Sequence, residues 1–127
     1  MRTNRNRSLP ARKKPARRSN ESWNCRVYAI QLDASVMDNP AYRAKNPNYI
    51  EGMPHLYIGA TSLDITERFA QHKTGHKNAS AIARRYGLEL RLDLLPTRKP
   101  KRWTLAYRDE RSDAWRFRKR GYGVWQA

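Results

Sequence analysis

Arg68 and His72 stand four residues apart in DITERFAQHKTG, so a helix there carries both on one face. Ile65 and Phe69 flank that side, and a guanidinium among apolar neighbours needs either exposure or an anionic partner. Phosphate is the partner whose oxygens a guanidinium matches with two parallel hydrogen bonds; an ordinary snorkelling surface arginine is the plain alternative. His72 has the chemistry to shuttle a proton or contact phosphate, and equally to fill a structural place. Glu110 sits within an apolar stripe made by Trp103, Ala106, Tyr107, Ala114 and Phe117. A carboxylate on a core-facing stripe requires a partner. That partner is either one of the many arginines or a hard divalent ion, Mg²⁺ or Mn²⁺, which keeps several waters and takes few protein ligands. Asp109 and Asp113 fall off the stripe. Tyr28 and Tyr57 each lie in an apolar run. A phenol, with an ordinary pKa of about 10, accepts a proton at neutral pH only where nearby cations favour the phenolate. Otherwise the two are cross-strand packing residues.

The elements that must position these groups follow from the pattern around them. CRVYAIQL, residues 25 to 32, alternates Val27, Ala29 and Gln31 against Tyr28, Ile30 and Leu32, as a strand inside a sheet does. A long loop rich in Asn and Pro spans about 33–54, with a short helical turn expected over Pro40 to Lys45. HLYIGAT reads as a second strand. Asp64 as N-cap with Glu67 three residues on predicts a helix that Gly75 terminates. NASAIARRYG predicts a shorter helix with Asn78 as N-cap and Gly87 at its end. LELRLDLL, Leu88 to Leu95, alternates strictly and predicts a half-buried strand with Leu88, Leu90, Leu92 and Leu94 inward. A helix from about Thr104 to Arg120 follows, and GYGVWQA folds Val124 and Trp125 back on the body. The order predicts an α+β domain over 23–127, a small antiparallel or mixed sheet with helices against it.

Charge points to the partner. Lys and Arg number 27 against 11 Asp and Glu, a formal net charge of +16. Such an excess suits a polyanion, because phosphate contacts supply much of nucleic-acid affinity regardless of sequence; an anionic membrane surface is the rival. Eight of the first twenty residues are Lys or Arg and none is acidic. Residues 1–22 therefore read as a disordered basic tail that binds nucleic acid, or one that serves only solubility or targeting. No run of about 20 apolar residues occurs, so no transmembrane segment is expected. The N-terminus lacks the apolar stretch of a secretory signal. Cys25 is the single cysteine, which fits a reducing compartment and provides no cysteine-rich zinc site. The reading places the chain in the cytoplasm or on the nucleoid, with organellar import as the route left open by an Arg-rich, acid-poor start.

LYIGATSLDITERFAQHKTG resembles the GIY-YIG nuclease superfamily, with Tyr57-Ile58-Gly59 as the second half of its signature. The first half is similar to Val27-Tyr28-Ala29, Tyr28 matching the functional tyrosine; its glycine and isoleucine are absent, and the stretch from Tyr28 to Tyr57 is wider than the family's usual spacing. Arg68, nine residues after Gly59, matches the family's helix arginine, with His72 one turn later, and Glu110 matches its metal-binding glutamate. The resemblance spans about residues 25 to 125. It implies a three-stranded, mainly antiparallel sheet flanked by helices. It also implies metal-dependent phosphodiester hydrolysis of DNA or structured RNA. In that scheme Tyr28 activates the attacking water, Tyr57 orients phosphate or water, and Arg68 stabilises the phosphate. Glu110 holds one Mg²⁺ or Mn²⁺. The other reading is a non-catalytic nucleic-acid-binding protein that keeps this fold, as a component of a ribonucleoprotein or beside another protein partner. In either case Lys73, Lys77, Arg84, Arg85, Arg98, Lys99, Lys101 and Arg102 position nucleic-acid backbone rather than read bases. Trp103, Trp115 and Trp125 read as packing residues.

Overall fold

Strands β1 (Arg26–Leu32) and β2 (His55–Thr61) pair antiparallel along their whole length, from Arg26 opposite Thr61 to Leu32 opposite His55. Both bury residues on both faces, which is why their sequences are nearly continuous in apolar residues. The computed structural model describes residues 24–76 and 79–127; the basic tail expected over 1–22, Trp23, Lys77 and Asn78 lie outside them. After β1 come a short 3-10 helix (Ala34–Asp38) and α1 (Pro40–Lys45). β2 is followed by α2 (Ile65–Thr74), α3 (Ala81–Tyr86), β3 (Gly87–Leu90), α4 (Trp103–Lys119) and β4 (Gly123–Gln126). The fold is α+β. No helix among the described residues is long and apolar enough to cross a membrane.

The sheet has four strands rather than three, in the order β3-β1-β2-β4, and it is mixed, because β4 runs parallel to β2. Gly121, at φ 95°, turns the chain out of α4, and the returning segment lies along β2 with Val124 opposite Leu56. Asn46 fixes that return: its side chain accepts from the Val124 N–H at 2.8 Å and donates to the Val124 carbonyl at 3.0 Å. The expected strand over Leu88 to Leu95 is shorter than its alternation suggests. Gln31 pairs with Glu89 and Leu32 with Gly87, so Leu88 is the extra residue of a β-bulge and turns to solvent. From Arg91 onward the chain bends, with the Leu94 and Leu95 N–H groups both donating to the Arg91 carbonyl. Leu92 is exposed as a result, and Leu95 is buried in its stead.

One core lies on each face. Tyr28, Ile30, Leu32 and Tyr57 meet Val36, Tyr42, Ile65, Ile82 and Ala83 on the side of α1, α2 and α3. Val27, Ala29, Leu56, Ile58 and Val124 meet Leu95, Ala114 and Phe117 on the side of α4. The long 33–54 segment is thus not a bare loop. Asn39 caps α1 by accepting from the Tyr42 N–H, and Tyr42 is wholly buried. Asp64 caps α2 and Gly75 ends it at φ 78°, but the cap of α3 is Ser80 and not Asn78.

Candidate active site

Four of the five catalytic candidates meet on the α2 face of the sheet. Tyr28 of β1 stands opposite Gly59 of β2, and its ring occupies the space a side chain there would fill. A Cβ at Gly59 would come within 2.8 Å of the Tyr28 Oη and 3.2 Å of the Tyr57 ring. The glycine of the YIG run is therefore the seat of the tyrosine. Tyr57, two residues earlier on the same face, has its ring centroid 6.2 Å from that of Tyr28.

α2 brings His72 over both rings, 5.2 Å edge-on from Tyr57, with its Nε2 2.8 Å from the Tyr28 Oη. The opposite nitrogen settles the direction of that bond. His72 Nδ1 accepts from the Ser80 backbone N–H at 3.1 Å, so it carries no proton. Burial, and then the Arg68 charge, hold the imidazole pKa down to about 4, so the ring is neutral at physiological pH. Its one proton is on Nε2, which donates to the Tyr28 oxygen. Arg68, one turn earlier and partly exposed, donates from Nη1 to the Gln71 side chain at 2.7 Å. Its charge also bears on Tyr28 and Tyr57 and lowers both phenols. Burial outweighs it: desolvation, with the neighbouring Tyr57 next, pushes the Tyr28 phenol well above its ordinary range. Burial likewise raises Tyr57.

Glu110 comes from the other side of the sheet. It is 1 % exposed on the inward stripe of α4, and its Oε2 accepts from the Gln126 amide at 3.1 Å. Burial raises its pKa to about 7, against the opposing effects of that hydrogen bond and of Arg111. The salt-bridge alternative is not what holds it; among the described residues no cation forms an ion pair with it. It makes no hydrogen bond to the tyrosines, but its charge reaches Tyr57 and raises that phenol. β4 ends at Gln126 opposite Ile58, leaving Gly59 to Thr61 without a strand partner on that side among the described residues. A buried carboxylate held by one neutral amide fits a hard divalent ion that draws its remaining ligands from water and phosphate.

The basic residues divide by what they touch. Lys73 donates to the carbonyls of Arg84 and Gly87, tying α2 to the end of α3. Arg98 and Lys101 bond to Asp113 and Asp109, each at 2.5 Å. Arg84, Arg85, Lys99 and Arg102 are exposed, and Lys77 lies outside the described residues. Asp113 does not fall off the stripe of α4. It is 3 % exposed, and Arg98 and Arg116 both bond to it. Ser80, Gln126 and the seating role of Gly59 were missed by the sequence reading. Only Ser80 had a usable signal, a capping residue directly before the first helical alanine. No family model matches this chain, and neither does any curated protein or solved structure.

Proposed function

We propose that this chain is a metal-dependent nuclease of the GIY-YIG kind, hydrolysing phosphodiesters in DNA or structured RNA. The observation that carries the reading is the Tyr28 ring seated on Gly59 with its oxygen met by His72 and lying in the field of Arg68. His72, which donates to the Tyr28 oxygen, and the Arg68 guanidinium both favour the phenolate; burial outweighs them in the closed site, so the phenolate forms once the site opens to water and phosphate. In that state Tyr28 takes a proton from water as the water oxygen attacks phosphorus, and the P–O bond to the leaving alkoxide breaks, that oxygen then taking a proton from solvent. Arg68 binds the non-bridging oxygens and stabilises the charge that grows on them. Glu110, with the Gln126 amide beside it, is the group that would hold Mg²⁺ or Mn²⁺. When bound, the ion supplies Lewis-acid stabilisation of the phosphate and leaving oxygen.

A binding-only protein is the second reading, and one observation favours it. Tyr28, His72 and Glu110 are each no more than 1 % exposed, so a phosphate reaches them only after the site opens. Cleavage of labelled duplex DNA and structured RNA, in Mg²⁺ or Mn²⁺ against EDTA, separates the two. Metal-dependent cutting that Glu110→Ala abolishes, with binding retained, supports the nuclease. Salt-sensitive binding without cutting by the wild type on either substrate supports the binder.

A further inference from the structure

A groove of about 220 Å³ lies where residues 45–49 meet the C-terminal half of α4, lined by Lys45, Asn46, Tyr49, Trp115, Arg118 and Lys119 among others and by no carboxylate. Two features of it are unexplained by folding. Arg118 is half-buried, and its bonds go to neutral oxygens, the Asn46 side chain at 3.3 Å and the Val124 carbonyl at 3.0 Å. No carboxylate pairs with it among the described residues, and burial pulls its pKa down. A charge withdrawn from water in this way lacks the anion that would balance it. Trp115 is the second feature. It is 59 % exposed, not packed as the sequence reading had it. The Lys119 ammonium lies over its ring, 4.7 Å from the centroid. Lys45 sits similarly over Trp125 at 5.4 Å.

An exposed aromatic ring with mobile cations against it is the combination that holds unpaired nucleotides, the base stacking on the ring and the backbone following the charge. We propose that this groove is a docking site for a nucleotide of single-stranded nucleic acid. The base stacks on Trp115, and the adjoining phosphate takes the place opposite Arg118 and Lys119. Duplex ends, flaps and loops present such nucleotides, and fully paired segments do not. The inference rests on the nucleic-acid reading of the chain but not on catalysis.

The test is the affinity of the full chain for three probes at one salt concentration: a single-stranded oligonucleotide, the same length made abasic, and a blunt duplex. Trp115→Ala weakens single-strand binding by about 5- to 150-fold, the range for loss of one stacked base. It leaves the abasic and duplex probes within about twofold. Trp115→Phe restores most of the loss, and Lys119→Gln lowers the salt slope on single strands by about one. Both sites are exposed, so the variants fold. Single-strand affinity unchanged in Trp115→Ala overturns the proposal. Equal losses on the abasic probe overturn it too, because the groove is then a phosphate patch without base stacking. A wild type that binds none of the three removes the nucleic-acid reading together with the groove.

Discussion

Replacing Gly59 with alanine sets two physical effects against each other, and the structure decides the sign. Inside a strand, Gly→Ala ordinarily stabilises by about 0.5–1 kcal/mol, because the unfolded glycine has more freedom to lose. Here the new methyl would sit 2.8 Å from the Tyr28 Oη and 3.0 Å from its Cζ, closer than carbon atoms approach. The ring has nowhere to go. It is 1 % exposed, and its hydroxyl is held by His72. Overpacking of this kind costs about 1–3 kcal/mol, about 2 at the centre of that range; less the roughly 0.5–1 kcal/mol gained from the glycine, the net expectation is a destabilisation of about 1–1.5 kcal/mol. For a domain of this size that lowers Tm by roughly 4–12 °C. Urea unfolding gives the same quantity as a lower midpoint at unchanged slope. Where cleavage is measurable, the displaced tyrosine lowers its rate by about a hundredfold, the usual consequence of a misplacement near 1 Å. A Gly59→Ala protein as stable as the wild type, or more so, refutes the placement of Tyr28 over Gly59.

Three further outcomes follow from the same geometry. Glu110 has its pKa raised from 4.5 to about 7 by burial, so its contribution to stability is complete below pH 4.5 and lost as pH rises through about 7. Without divalent metal, thermal unfolding should show that loss, and Glu110→Gln should flatten it and raise Tm above pH 7. His72, with its pKa lowered to about 4, contributes stability that is present above 6.5 and lost towards 4; its imidazole NMR signals should not titrate between pH 5 and 8. Asn46→Ala leaves both backbone groups of Val124 without their side-chain partner and should cost about 1–3 kcal/mol in denaturant unfolding, with β4 amides exchanging first.

The parts of the fold that could be read from the sequence were those specified locally. β1 and β2 announce themselves by apolar runs with alternation, α2 by Asp64 and Gly75 at its ends, and α4 by its stripe. What escaped depended on distant partners. β4 is four residues whose pairing with β2 is parallel and fixed by Asn46, a residue 78 positions from Val124. β3 carries a perfect alternation, yet the bulge at Leu88 and the turn at Arg91 undo it, because among the described residues its only strand neighbour is β1. Asp113 looked solvated from its helical angle; Arg98, arriving from the loop before α4, makes its burial tolerable. In the site, Arg68 and His72 were legible through their spacing of four, and Glu110 through its place in the apolar stripe. The donor on the far side of His72 could not be read, since Ser80 reaches it only after α3 folds against α2.

In the proposed reaction the Tyr28 oxygen takes the proton from the attacking water. Single-turnover cleavage by Tyr28→Phe, at enzyme concentrations that saturate the substrate and with binding measured alongside, tests it most directly. The expected rate is lower by about 10²–10⁴-fold with affinity and fold unchanged, since only the hydroxyl is removed. Cleavage by Tyr28→Phe at the wild-type rate would contradict it.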